Sequence, residues 1–183
     1  MHPKTIKTIA ASALLTGAIG IFYPASAHVG LEYQVAPAGS SYKASFKIGH
    51  GCAGSPTRQI AVDIPAGVQG ARPMPKPGWA LDVQRAKLAQ PYTSHGRSVT
   101  EDVVRITWTA RTPDDMLPDA HYDEFVLVAT MPAQAGTVYW PVRQVCAEGR
   151  HDWTEVPQQP GQKLKAPAVA LEILPSGTAA HQH

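Results

Sequence analysis

The chain has few of the residues on which charged binding surfaces depend. Only 16% of its 183 residues are charged, and the formal net charge is +2. Lys4 and Lys7 account for that excess, so the chain after residue 27 is nearly neutral. A neutral surface has no general attraction for nucleic-acid phosphates or anionic lipids. We therefore expect neither nucleic acid nor a membrane surface as a partner.

Familiar catalytic motifs are also missing. The sequence contains no Gly-x-Ser-x-Gly elbow, no phosphate-binding loop and no His-Glu-x-x-His zinc motif. No segment shows convincing 3.6-residue periodicity, and nothing after residue 27 resembles a membrane-spanning stretch. An ordinary hydrolase is therefore disfavoured, and we expect a protein that is not an enzyme.

The N-terminal segment has the parts of a secretory leader. Lys4 and Lys7 form its positive region, Ile9 to Phe22 its apolar run, and Ala25-Ser26-Ala27 its small-residue cleavage signature. The alternative is an uncleaved membrane anchor, but the apolar run is shorter than the roughly 20 residues that a spanning helix needs. This pattern predicts a signal peptide over residues 1–27.

Cleavage after Ala27 defines the rest of the organisation. We expect residues 28–175 to form one β-sandwich domain of ordinary size and residues 176–183 to form a flexible tail. The expected location is the periplasm or another secreted compartment, with no membrane span after cleavage.

Short strands at near-regular spacing predict the fold. Residues 41–48 alternate in period two, with Tyr42, Ala44, Phe46 and Ile48 on one face. Further predicted strands cover residues 60–64, 79–83, 103–109, 123–130, 137–142 and 151–156, the last two forming a hairpin around 148–150. With 17 prolines in the chain, this pattern indicates an all-β sandwich.

The two cysteines, Cys52 and Cys146, are expected to form one structural disulfide. They lie far apart in a chain directed to an oxidising compartment, where such bridges persist. A metal or redox pair is the alternative, but it normally requires closer spacing. The structural bridge is therefore favoured.

His28 is the first candidate metal ligand, because cleavage after Ala27 gives it a free α-amine beside its imidazole. These two nitrogens can chelate one ion and suit the preference of Cu(II) for nitrogen and oxygen. The alternative is an inert histidine, because almost any residue can follow a cleavage signature. Glu124 is the carboxylate favoured to complete the site, over Asp123 or Glu32, although a solvent-facing strand residue is its ordinary role.

The other histidines are expected to have ordinary roles. Loop or strand-start imidazoles are usually solvated or hydrogen-bonded, and a mobile pair in a tail does not form a defined site. These residues are His50, His95, His121 and His151, with His181 and His183 in the tail.

Taken together, short motifs in a fixed order carry a family resemblance over nearly the whole chain after residue 27. The motifs are His28-Val29, Ala38-Gly39-Ser40, His50-Gly51-Cys52, Ser55-Pro56-Thr57, Lys76-Pro77-Gly78-Trp79, Tyr92-Thr93, His95-Gly96-Arg97, Tyr122-Asp123-Glu124-Phe125, Gln144, Cys146 and Trp153. In this order and spacing, the chain resembles the YcnI-like family of bacterial exported copper-binding domains. One departure is Gly30, where a Thr or Ser is expected.

The resemblance implies an immunoglobulin-like β-sandwich that binds Cu(II). It implies a single-histidine brace at His28, a carboxylate ligand at Glu124 and a nearby tryptophan at Trp153. The implied function is periplasmic copper acquisition, delivery or homeostasis, with a membrane copper transporter or a periplasmic copper carrier as partner.

Two other functions remain open at this stage. A copper-dependent oxidase resembling the polysaccharide monooxygenases requires a second imidazole, and nothing in the sequence places one beside His28. An envelope interaction module in which His28 is incidental requires no metal at all.

Overall fold

The structure, a computed structural model, describes residues 28–159 and 161–176. The predicted signal peptide, and the predicted tail beyond residue 176, lie outside the described residues. Within them the chain forms twelve strands and one 3-10 turn, Pro113–Asp115: β1 Gly30–Leu31, β2 Val35–Pro37, β3 Ser41–Ile48, β4 Thr57–Asp63, β5 Gln69–Pro73, β6 Trp79–Ser94, β7 Arg97–Ala110, β8 Asp123–Thr130, β9 Gly136–Trp140, β10 Val142–Cys146, β11 Arg150–Trp153 and β12 Val169–Leu174. The predicted all-β class is confirmed. In the part of the chain described here, no helix has the length and apolar character to cross a membrane.

Three sheets build the sandwich. One has the order β1-β3-β8-β5, the second β11-β10-β4-β7-β6, and the third, smaller sheet β2-β12-β9. The strand pairs are antiparallel except for β12 with β2, which is parallel. In the two larger sheets, β1 and β11 are edge strands, and this position matters for the site described below.

The core lies between the inner faces of the sheets. Tyr42, Ala44, Phe46 and Ile48 are all buried, as the alternation of β3 predicts. Phe46 packs edge-on against Trp140, with their ring centroids 5.7 Å apart. Such aromatic pairs stabilise a core beyond the area they bury.

Pro141 divides a segment that the sequence predicts as one strand. Residues before it form β9 and pair with β12, whereas residues after it form β10 and pair with β4 and β11. Proline cannot donate a hydrogen bond to a ladder, so it suits the point at which the chain leaves one sheet for another. The predicted hairpin is correct in its turn, but its arms are β10 and β11 rather than residues 137–142 and 151–156.

The longest strand, β6, continues well beyond its predicted end at Val83. It pairs with β7 as far as Ser94, opposite Arg97, so Tyr92 to Ser94 belong to a strand rather than to a turn. Its middle part is mostly exposed, and lacks the alternation that marks a half-buried strand.

Cys52 and Cys146 form the predicted disulfide, with their Cα atoms 5.9 Å apart. The bridge joins the loop before β4 to the end of β10. A neighbouring close contact explains the glycine at position 51, because a Cβ there would lie 1.9 Å from the backbone oxygen of Ser55. Gly51 therefore allows the chain to pass the Cys52 turn.

Asp102 is a buried carboxylate that links two sheets. It accepts hydrogen bonds from the backbone N–H of Gly70 on β5 (2.8 Å), from the Tyr92 hydroxyl (2.7 Å) and from the N–H of Val103 (2.7 Å). Burial raises the pKa of Asp102, but these hydrogen bonds outweigh burial and hold the pKa below its ordinary value. The ionised form is therefore favoured in the folded protein.

Replacing this carboxylate, Asp102→Asn, is expected to lower the free energy of unfolding at pH 7 by roughly 1.5–3 kcal/mol, because buried donors lose a charged acceptor. The lowered folded pKa means that the carboxylate stabilises above its unfolded pKa of about 3.9 and that this contribution disappears as the pH falls through the folded pKa. Urea unfolding at several pH values tests both points. A difference between the two proteins that does not shrink below about pH 4 would contradict the assignment.

Candidate functional site

The candidate site lies where the edge strands of the two larger sheets approach each other. His28 is exposed and immediately precedes the short segment leading into β1, and Trp153 ends β11. Their ring centroids are 4.9 Å apart, with an angle of 57° between the ring planes. Two of the predicted site residues therefore meet, although they are far apart in the sequence.

A second histidine packs against the same tryptophan. The ring of His151 lies 5.2 Å from that of Trp153 at an angle of 33°. His50, in the loop that follows β3, approaches His151 with a centroid distance of 6.1 Å and an angle of 78°. The structure thus forms a row of four rings, His28, Trp153, His151 and His50, which we call the aromatic row.

The register of the β10–β11 hairpin explains this row. Trp153 pairs with Val142 and His151 with Gln144, and both partners are buried. Residues directly opposite each other in an antiparallel pair share a face, so Trp153 and His151 both face the sandwich interior. Because β11 is an edge strand, His151 remains partly exposed.

His50 is held by its surroundings on both sides. Its Nδ1 lies 2.6 Å from the backbone oxygen of Gly51, and its own carbonyl accepts a 2.7 Å hydrogen bond from Nε2 of Gln144. Gln144 also donates to Thr57 Oγ1 at 2.7 Å, while Gly51 N–H donates to Asp119 at 2.9 Å. The buried amide of Gln144 therefore fixes the backbone from which His50 extends.

Trp153 contributes an unusual feature to the row. The indole N–H is buried and has no hydrogen-bond partner among the described atoms. A buried donor without an acceptor is costly, and an oxygen ligand on a metal ion at His28 would be a suitable acceptor. Within the described ranges, no three or more His, Cys, Asp or Glu side chains are arranged to hold a metal ion.

Glu124 lies on the outer face of its sheet, between the buried residues of β8 and the strand's start. It pairs with Lys47, which pairs in turn with Gly30, so Glu124 is two strands across from β1. Its carboxylate accepts hydrogen bonds from the hydroxyl groups of Ser45 and Tyr122. Two strand spacings correspond to about 10 Å between the Cα atoms of Gly30 and Glu124.

These hydrogen bonds determine the ionisation of Glu124. The bond from Ser45, followed by that from Tyr122, lowers the pKa of Glu124, and nearby Lys43 and Lys47 add to the effect. The bond to Glu124 raises the pKa of Tyr122 to about 12. The Glu124 carboxylate is therefore ionised at neutral pH, as a carboxylate that binds a metal ion must be.

Comparison with known protein families identifies the domain. The model of DUF1775, described as a domain of unknown function, matches residues 28–173. The chain belongs to the DUF1775 family. The matched range includes His28, both cysteines, Glu124 and Trp153, so the whole site described above lies inside the DUF1775 domain.

A solved structure shows the fold of this DUF1775 domain. The chain is similar to an uncharacterized protein from Nocardia farcinica whose crystal structure reveals an immunoglobulin-like fold. The TM-score is 0.62 and the sequence identity 23%, over 80% of this chain and 97% of the other. The immunoglobulin-like sandwich implied by the sequence is thus confirmed. A comparison with curated proteins finds no match.

The DUF1775 structure brings together some of the predicted site residues and adds two. His28 and Trp153 are in contact, and Cys52 and Cys146 are bonded, whereas Glu124 is on a different face from Trp153. His151 and His50 join the row although only ordinary roles were predicted for them. Position 151 lies two residues before Trp153 on one strand, and this spacing is the signal that places both on one face.

Proposed function

We propose that this protein is a periplasmic Cu(II)-binding protein that acts in copper acquisition, delivery or homeostasis, with copper as cargo. The observation that carries the proposal is the contact of His28 with Trp153 at the edge of the sandwich. Residue 28 is also where the predicted signal peptide would leave a new N-terminus. The resemblance to the YcnI-like family supports the same function.

The ligands follow from the chemistry of the residues. After cleavage, His28 supplies its α-amine and its imidazole, a chelating pair that suits the tetragonal preference of Cu(II). An oxygen ligand on the ion would accept the hydrogen bond that the Trp153 indole N–H lacks in the described structure. Trp153 thus covers one side of the ion and orients its oxygen ligand.

Glu124 is the proposed carboxylate ligand. Its ionised state favours metal binding. Across the sheet, Glu124 pairs with Lys47 and Lys47 pairs with Gly30, which lies two residues after His28. Glu124 would exchange a hydrogen bond from Ser45 or Tyr122 for the ion. Glu32 is a closer carboxylate in sequence, but it forms a 3.0 Å ion pair with Lys47.

The proposed site suits exchange rather than permanent storage. His28 is exposed, and the site draws on few protein ligands, so a partner has direct access to the ion. The disulfide agrees with an oxidising compartment, where copper carriers of the envelope operate. We propose a membrane copper transporter or a periplasmic copper carrier as the partner. We propose that the protein itself catalyses no reaction.

The position of His151 gives the oxidase alternative a specific basis, because such enzymes need a second imidazole. The packing of the Trp153 indole against both His28 and His151 counts against this alternative, because the indole occupies the space beside each imidazole. Peroxide-dependent or ascorbate-dependent turnover of polysaccharides by the copper-loaded protein would favour the oxidase over the carrier.

The proposal is tested by acetylating the α-amine of His28 in the processed protein. The acetylated protein keeps the imidazole but loses the chelating α-amine, so we expect its affinity for Cu(II) to fall by about ten- to a hundredfold, as no second donor acts intramolecularly. Isothermal titration of the processed and the acetylated protein with Cu(II) measures the difference.

Two controls accompany this titration. Equal thermal unfolding curves of the two apo proteins would show that the fold is unchanged. Equal Cu(II) affinities would overturn the brace.

A further inference from the structure

The aromatic row contains a pair of imidazoles that the proposed copper site does not use. His50 lies in the loop that follows β3, and His151 lies on β11, so the pair brings together segments of the two larger sheets. Their ring centroids are 6.1 Å apart. Neither residue is part of the predicted ligand set of His28, Glu124 and Trp153.

The separation of the two rings fits one shared metal ion. An imidazole nitrogen binds Zn(II) or a similar ion at about 2.0 Å, which places the ion roughly 3 Å from the ring centroid. Two rings on opposite sides of one ion therefore have centroids about 6 Å apart. The observed centroid distance of 6.1 Å lies at this value.

The tautomer of His50 suits the same role. Its Nδ1 lies 2.6 Å from the Gly51 carbonyl oxygen, which can only accept, so the tautomer with the proton on Nδ1 would form this hydrogen bond and would present Nε2 to a metal ion. Metal-binding histidines commonly donate their second N–H to a carbonyl in this way, which fixes the ring and raises its basicity.

The backbone on which the pair is mounted is rigidly supported. Gln144 donates to the His50 carbonyl and lies directly opposite His151 in the β10–β11 ladder, so one buried side chain relates both positions. The Cys52–Cys146 bridge closes the same region two residues from each of His50 and Gln144. Preorganised ligands of this kind lose little freedom on binding.

We propose that His50 and His151 form a second copper-binding position, which takes Cu(II) through two imidazoles and completes its coordination with water. Trp153 contacts both His28 and His151, so one indole would adjoin both ions. This position goes beyond the proposed function, because it depends neither on cleavage after Ala27 nor on the brace.

The test uses the processed chain, beginning at residue 28, with His28, His181 and His183 replaced by alanine. This background lacks the brace and the tail imidazoles. Titration with Cu(II) is expected to show one equivalent bound, and pulsed electron paramagnetic resonance is expected to show two coordinated imidazoles. In the same background, His151→Gln or His50→Gln should leave one imidazole and lower the affinity at least about tenfold.

His95→Gln is the matched control, because His95 lies in the exposed turn between β6 and β7, away from the aromatic row. It should leave both the stoichiometry and the spectrum unchanged. Absence of copper binding in the background protein would overturn the second position, as would binding that survives both His50→Gln and His151→Gln. Copper binding by the native processed protein would test the brace separately.

Discussion

Replacing Cys52 and Cys146 together by alanine is expected to lower the free energy of unfolding by about 4 kcal/mol. The bridge closes a loop with a sequence separation of 94 residues, and on the loop-entropy model such a cross-link stabilises by about 4 to 5 kcal/mol. Both half-cystines are buried, so alanine is used rather than serine, whose hydroxyl group would be unpaired in the core. This is a large fraction of the stability of an ordinary domain.

Urea unfolding of the native and the double-alanine protein measures this loss. A reducing agent should destabilise the native protein by a similar amount and leave the double-alanine protein unchanged, which separates the bond from the side-chain replacement. Differences below about 1 kcal/mol would show that the sandwich is held by its core alone and that the loop-entropy model does not apply here.

The fold was predictable where a strand has one face in the core and one in solvent. Ser41–Ile48 alternates clearly, Asp123–Thr130 is rich in β-branched and aromatic residues, and the structure has both strands with these bounds. Alternation does not say which partner a strand pairs with, so the change of sheet at Pro141 was missed. The outer part of β6 was missed because it is exposed on both faces and carries no period.

The candidate site was predictable only in part, because its members come from three distant segments. The cleavage signature marked His28, and the resemblance marked Trp153. The spacing of His151 from Trp153 places both on one face of a strand, but His50 carries no local sign of its position, since a loop imidazole is usually solvated. The meeting of His28 with Trp153 depends on β1 and β11 both being edge strands, which is a property of the sheet order rather than of any segment.

Replacing His28 by alanine in the processed protein is expected to lower the affinity for Cu(II) at the first site by at least about 100-fold. Changes in groups that only orient a metal ligand already cost ten- to a hundredfold, and this change removes a direct ligand. The α-amine remains, so the variant also shows how much of the affinity the imidazole supplies. Competition with a chelator of known copper affinity measures the difference.

The same competition decides which carboxylate completes the site. Glu124→Gln should lower the affinity by about tenfold, because the amide is a much weaker ligand than the ionised carboxylate. Glu32→Gln is the matched control, since it removes one negative charge from the same sheet and breaks only an exposed ion pair with Lys47. A larger loss in Glu32→Gln than in Glu124→Gln would transfer the role to Glu32, and equal affinities of all three proteins would leave the ion bound by His28 and solvent alone.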